Sequence, residues 1–374
     1  MNRVVVTGLD VFTAYGSGLP ALRGGLASGE PAFAPVTRFD TGRLRASVAA
    51  QAPGDPDLTD LLAQSTSAAC REAGLDAATL ADTPLLLARH ADPDVSRLPE
   101  AEQPDHPTGG TGRDVAERVG LRFTDRTYTN ACVAASTAIA DAAALIALGR
   151  AERVVVAAGY LVDQDNFALF DAGRALAVDG RLRSFSAGRK GLLLGDGVGA
   201  VVLESESAAL ARGARPLVRL AGWGRAGDGY HVCQPDPSGQ GMARAIGAAV
   251  KRAGLSADEI DYVNAHGTGT QYNDSAESAA LRTAFGDRVA TLPVSSTKSM
   301  HGHTLEASGV VEFAVTAIAV ADGVLPVNSG YLGRDEECGL DLVLEPGRTA
   351  DVRHALSMNA AFGGANTALV LAAV

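Results

Sequence analysis

"YTNACVAASTAIADAAALIALG", residues 128–149, decides how the chain is read: a polar run gives way to a long apolar segment, with Cys132 at the junction. The apolar part predicts a helix beginning near Cys132. The extended "RTYTN" (126–130) before it and "ERVVVAAGY" (152–160) after it predict strands, so the stretch is one strand–helix–strand unit.

The same alternation runs outward in both directions. Before it come a β-branched strand "RVVVTGLD" (3–10), a helix "TDLLAQSTSAACREAGL" (59–75) and a buried strand "TPLLLARHA" (83–91). The Pro, Gly and acid-rich "DPDVSRLPEAEQPDHPTGGTG" (92–112) predicts an exposed loop. After it come a strand pair "LLLGDGVGAVVLES" (192–205), a strand "LVRLAGWG" (217–224) and a helix over 241–253. Then follow strand "IDYVNAHG" (260–267), helix "SAESAALRTAFG" (275–286), strand "LPVSST" (292–297) and the long helix "LEASGVVEFAVTAIAVADG" (305–323). Strands "HALSMNAA" (354–361) and "NTALVLAAV" (366–374) close the chain. Both halves alternate strands and helices and end in paired strands. This pattern predicts a duplication of α/β units with parallel-rich sheets, divided into 1–212 and 213–374.

Composition excludes several classes. The chain has 374 residues, 47% hydrophobic and 20% charged, enough for a sizeable core. A net charge of -11 argues against nucleic acid or an anionic membrane surface as the main partner. Two short basic clusters, "GRLRSF" (180–185) and "AGRKG" (187–191), can form a local basic mouth for an acidic partner or a solvated face. "MNRVVVTGLD" has too short an apolar run for a signal peptide, and no uninterrupted run reaches the ~18 residues of a membrane span, so a soluble cytoplasmic protein is expected. Cys70, Cys132, Cys233 and Cys338 lack CxxC spacing, which suggests neither a zinc site nor a disulfide framework.

Four segments carry candidate chemistry. A cysteine at a helix start meets unpaired N–H groups and the positive end of the dipole, which favour thiolate, although a free cysteine is also a common packing residue. In "VNAHGTGTQYNDSAE" (263–277), His266 follows an apolar strand, where open α/β sheets place ligands; a satisfied core histidine is the alternative. In "SSTKSMHGHTLEASG" (295–309), Lys298, His301 and His303 precede a helix, and no nearby carboxylate or cysteine completes a metal set. In "MNAAFGGANTALVL" (358–371), Phe362-Gly363-Gly364 makes a turn that can aim backbone N–H groups or an aromatic gate at a site, or be an ordinary hairpin.

Taken in this order, with "RVVVTGLDVFTAYGSG", "FDAGRALA", "LLLGDGVGAVVLE" and "FGGAN", the segments resemble the β-ketoacyl-acyl carrier protein synthases, the elongating ketosynthases of fatty-acid and polyketide pathways. The resemblance covers essentially the whole chain. It implies the thiolase fold, two duplicated α/β halves in five α-β-α-β-α layers. It implies Cys132 as nucleophile, His266 and His303 as its catalytic pair, Lys298 as support, and Glu312 as a buried acid on the following helix. Asp274 and Glu277 match the acidic positions after the first histidine, and Thr268 and Thr270 the hydroxyls of a phosphopantetheine tunnel. Phe362 matches the gate, its N–H joining that of Cys132 as an oxyanion hole.

The implied reaction is decarboxylative condensation of an acyl group on Cys132 with malonyl-acyl carrier protein. It needs no metal or resident cofactor, the substrates riding on the carrier's phosphopantetheine. The implied partners are an acyl carrier protein and, as a homodimer or heterodimer, a second ketosynthase-like or chain-length-factor-like subunit. The alternatives are an acyltransferase serving another nucleophile and a partner subunit. Departures from the family pattern cluster around the substrate: Val133-Ala134-Ala135-Ser136 after the cysteine, Ser186, Lys190 and Leu192, the short region 85–126, and Ala360-Ala361. They point to a specialised enzyme of polyketide type.

Overall fold

A computed structural model describes residues 2–91, 95, 97–102 and 110–374. The first half supplies strands β1 (Val4–Thr13), β2 (Pro84–Arg89), β3 (Arg122–Tyr128), β4 (Arg153–Tyr160) and β5 (Gly197–Ser205). The second supplies β6 (Val218–Gly227), β7 (Tyr262–Asn264), β8 (Pro293–Ser295), β9 (His354–Ala361) and β10 (Ala365–Ala372). Their spatial orders are β1-β5-β4-β2-β3 and β6-β10-β9-β7-β8. Each half therefore runs first, fifth, fourth, second, third. In each, the first three neighbours are antiparallel and the last three parallel. This is the duplication expected from the alternating pattern, and an antiparallel contact of Val4–Val6 with Val218–Leu220 joins the two sheets at their first strands.

Five helices matter for the site: α1 (Leu58–Glu72), α2 (Ala134–Ala147), α3 (Gln240–Ala253), α4 (Gln271–Phe285) and α5 (Ser308–Asp322). α2 and α5 pack on each other and touch strands of both halves; α1 lies against the first sheet, and α3 and α4 pack on each other, α3 lying against the second. Strand residues report the layers by alternation. On β4, Val154, Val156 and Ala158 enter the core around α2 and α5, while Val155 and Ala157 enter the core beneath α1. On β10, Leu369 and Leu371 face the central core and Ala368 and Val370 the outer one under α3. Sheets covered on both faces need apolar residues at every position, which is why these strands read as continuous runs. The central helix α5 is correspondingly covered all round, with every residue from Ser308 to Val320 buried.

The helices also lie very close. A Cβ on Gly309 would meet the Ser136 backbone N at 2.2 Å, so only glycine lets α5 approach α2 here.

Three local expectations are corrected. "LLLGDG" is not a strand; β5 begins at Gly197, and Leu194 makes only an isolated bridge to His303. The Leu193 carbonyl accepts from the His303 N–H and the His303 carbonyl from the Gly195 N–H, so the segment is laced to the His303 loop instead of to a sheet neighbour. Helix α4 starts at Gln271, earlier than residue 275. Most of the predicted loop 92–112 lies outside the described residues, but its last two residues open a helix, Thr111–Val119, whose Val115 and Ala116 are buried. No helix among the described residues is long and apolar enough to cross a membrane.

Candidate active site

The site gathers where parallel strands end. Cys132 follows β3, His266 lies two residues past β7, and Lys298 three past β8. This is the crevice at the carboxyl edge that α/β sheets offer to ligands.

Cys132 sits in a single turn, Ala131–Val133, that leads into α2. Ala131 has φ of 51°, a left-handed backbone that a side-chain-bearing residue adopts only when its surroundings hold it there. Cys132 is 7% exposed. Burial pushes it up to about 12, with the nearby Glu306 charge acting in the same direction and Lys298 opposing. Removal from water thus favours the protonated sulfur and opposes the thiolate that the helix start favours.

Two imidazoles face each other beside it, ring centres 5.4 Å apart and nearly perpendicular. His303 Nε2 is 3.0 Å from Cys132 Sγ, and its Nδ1 is 3.0 Å from Ser308 Oγ. His266 Nδ1 is 3.2 Å from Lys298 Nζ. Burial holds both rings well below the ordinary histidine range, with the Lys298 charge adding to it, so both are neutral. An ammonium has only donors, so Lys298 makes His266 Nδ1 an acceptor and leaves the ring proton on Nε2.

Behind the rings, Lys298 also pairs with Glu312 on α5, both side chains fully buried, and the Asn359 amide donates to the other Glu312 oxygen. Burial pushes the Glu312 carboxyl up, opposed by Lys298 and Asn359. Asp274 and Glu277 do not reach the cavity. Glu277 accepts the N–H groups of His266 and Gly267 at 2.6 and 2.7 Å, and Asp274 those of Phe185 and Gly269 at 2.7 and 3.2 Å. They clamp the histidine loop from its buried side.

A cavity of about 470 Å³ opens onto Cys132, His266 and His303 and is lined along its length by Thr268, Thr270 and Phe362. The two threonine hydroxyls are 2.9 Å apart. Phe362 is 54% exposed and stacks on Phe170, ring centres 6.0 Å apart, on a turn where Gly363 and Gly364 take φ of 81° and 72°. A more open groove of about 820 Å³ near Arg212–Leu217 contains none of these residues.

His301 does not join the site: its Nε2 meets Thr297 Oγ1 at 3.1 Å. Among the described residues no group of three or more His, Cys, Asp or Glu is placed to hold a metal ion. The basic clusters are also rearranged. Arg183 pairs with Asp179 and Arg189 with Asp335, both guanidinium groups largely buried, which leaves Arg181 and Lys190 exposed. Sequence reasoning passed over Ser308, Asn359 and Phe170. Each lies within a quoted stretch, but none stands at a spacing that marks its contact.

Comparison with known proteins places these features in a family. Residues 92–209 match the model "Beta-ketoacyl synthase, N-terminal domain" and residues 217–331 the model "Beta-ketoacyl synthase, C-terminal domain". The chain is 41% identical to "Nodulation protein E" of Rhizobium meliloti over 257 residues, 68% of this chain and 63% of that protein. It is 32% identical to "Tetracenomycin polyketide synthase ketoacyl synthase alpha subunit" of Streptomyces glaucescens over 99% of this chain and 97% of that one. Among solved structures, "The ishigamide ketosynthase/chain length factor" superposes with a TM-score of 0.89 at 29% identity, covering 100% of this chain and 99% of that chain. With two halves that share one five-strand order in five layers, the fold is the thiolase fold, and the chain belongs to the β-ketoacyl synthase family.

Proposed function

We propose that the protein is a ketosynthase that condenses an acyl group held on Cys132 with malonyl-acyl carrier protein, in a polyketide-type or fatty-acid-like pathway. The observation that carries the reading is the 3.0 Å contact of Cys132 Sγ with His303 Nε2, with His266 facing it inside one cavity.

In loading, Sγ attacks the acyl thioester while its proton passes to His303 Nε2, which is neutral and holds a lone pair when Nδ1–H donates to Ser308. The carrier thiolate leaves and takes a proton. The Cys132 and Phe362 backbone N–H groups hold the oxyanion. Malonyl-carrier then enters past Phe362, its phosphopantetheine arm running along Thr268 and Thr270. Carbon dioxide departs, the electrons of the broken C–C bond form an enolate, and N–H groups of His266 and His303 meet the charge on its oxygen. The enolate carbon attacks the acyl carbonyl, the bond to Sγ breaks, and a β-ketoacyl thioester two carbons longer leaves. Lys298 and Glu312 position His266.

On this reading residues 1–212 carry the nucleophile and 213–374 the histidines. No metal or resident cofactor takes part. An acyl carrier protein delivers both substrates in the cytoplasm, and a second copy or a chain-length-factor-like chain completes a dimer; the similarity to a ketosynthase/chain length factor structure supports that pairing.

The test is intact-protein mass measurement after mixing with acyl-carrier thioesters, beside Cys132→Ala, together with carbon dioxide release from malonyl-carrier. A Cys132-dependent mass gain and release that falls roughly 10²-fold in His266→Ala are expected. Loading without any release of carbon dioxide would instead favour simple acyl transfer, and no loading would leave a partner subunit.

A further inference from the structure

Close to Cys132 lies a second set of polar groups that the mechanism above does not use. The turn Leu305–Ala307 packs against the Cys132 turn and against β2 and β4. Leu305 is held at φ of 40°, a left-handed conformation that fixes where the next residue points. That residue is Glu306, 3% exposed. One of its oxygens is 3.0 Å from His90 Nδ1; the other is buried with no hydrogen-bond partner among the described residues.

His90 comes directly after β2, and Tyr160 is the last residue of β4. Since Arg89 pairs with Gly159, the two stand side by side on neighbouring parallel strands. Tyr160 is 3% exposed, and among the described residues its hydroxyl makes no hydrogen bond of regular geometry, only a looser approach of the Asp163 backbone. The Leu305–Ala307 turn touches both the Cys132 turn and β4, the strand that ends at Tyr160, which brings the three into one neighbourhood.

A buried carboxylate oxygen without a donor is costly, and folded proteins seldom keep one without a use for it. Here one sits, with an orphaned phenol near it, on a turn packed against the turn that carries Cys132. An alkyl chain entering this corner would leave both groups unpaired; a chain with a hydroxyl would give Glu306 its missing donor and Tyr160 a partner.

Resting on the Cys132 reading, we infer that Glu306 and Tyr160 recognise a hydroxyl on the acyl chain, making the enzyme selective for hydroxyacyl over plain alkyl thioesters. Sites built around a hydrogen bond reject analogues that lack it far more strongly than apolar pockets reject size changes. A preference of about tenfold or more is expected.

The experiment measures the rate of mass gain at Cys132 with hexanoyl-, β-hydroxyhexanoyl- and δ-hydroxyhexanoyl-pantetheine. At least one hydroxyacyl group should load about tenfold faster than hexanoyl. Glu306→Ala and Tyr160→Phe should bring that ratio toward one, and Glu306→Gln, which keeps an acceptor oxygen, should retain part of it. A ratio is insensitive to the folded fraction, so a destabilised variant still reports. Equal loading or alkyl preference in the natural chain, or a ratio unchanged in Glu306→Ala, overturns the inference while leaving the nucleophile intact. No adduct with any chain refutes the Cys132 reading, and this inference with it.

Discussion

Gly309→Ala tests whether the closeness of the two central helices sets the catalytic geometry. The added Cβ would lie 2.2 Å from Ser136 N and 2.9 Å from its Cα, where ordinary contact begins at 3.4 Å. The atom struck is backbone inside a buried helix, so no side chain can rotate away, and α2 and α5 must separate by about 1 Å. Ser136 follows Cys132 by one helical turn, and Gly309 lies just beyond the Ser308 that holds His303. The displacement therefore falls on the 3.0 Å contact between Sγ and Nε2.

Overpacking of this kind costs about 1–3 kcal/mol, and a 1 Å misplacement of reacting groups can slow chemistry roughly 10²-fold. The expected result is a lower urea midpoint and single-turnover acyl loading slowed about a hundredfold at saturating thioester. Ser136→Gly should not rescue it, because the clash is with the main chain. If Gly309→Ala loads at the natural rate with an unchanged midpoint, the crossing does not set the site.

Because burial pushes the Cys132 thiol up to about 12, its alkylation by iodoacetamide should climb without a plateau between about pH 7 and pH 9; a plateau would reveal a stabilised thiolate. Lys298→Met strands the Glu312 carboxylate and should destabilise by about 3–5 kcal/mol, whereas Lys298→Met with Glu312→Leu should recover most of that without restoring decarboxylation; recovery of both by the double variant would argue against positioning of His266. The hydrogen bond to Glu306 raises His90 above its ordinary 6.5, against partial burial, so the folded state binds this proton more tightly. The resulting stability is full below pH 6.5 and is lost as pH rises through the higher folded value, so the urea-midpoint gap between the natural chain and His90→Gln should narrow as pH rises above 6.5, and a constant gap would contradict the pairing.

Much of the fold was legible because sheets covered on both faces force apolar residues at every strand position. "ERVVVAAGY" and "NTALVLAAV" became β4 and β10 for that reason. The same cue misled at "LLLGDG", where the apolar residues fill the central core but the backbone bonds go to His303, Ala50, Ala175 and Ala177 in loops and turns. Thr111–Val119 was hidden by the Pro and Gly before it, since its caps are glycines that also read as loop. At the site, Cys132, His266, Lys298 and His303 stood out because each ends or follows a recognisable element. Their supports did not. Asn359 meets Glu312 across 47 positions and His90 meets Glu306 across 216, and no local period carries such a contact.

The supports matter because the proposed chemistry asks different things of the two histidines. His303 must take a proton at Nε2 when Cys132 attacks, then offer a hydrogen bond from Nε2 when the enolate forms. Its Nδ1 partner is a hydroxyl, which donates or accepts, and Ser308 Oγ has a second hydroxyl, Thr304 Oγ1, 3.3 Å away to follow either change. His266 must only donate. Its Nδ1 partner is an ammonium, which cannot accept and so fixes one tautomer. Two rings of the same residue type, both kept neutral by burial, thus receive a switchable role and a fixed one from the group behind each. Exchanging those partners would satisfy every hydrogen bond yet deny His303 the lone pair at Nε2 that loading requires, or hold it only by moving the charge of Lys298 away from Glu312.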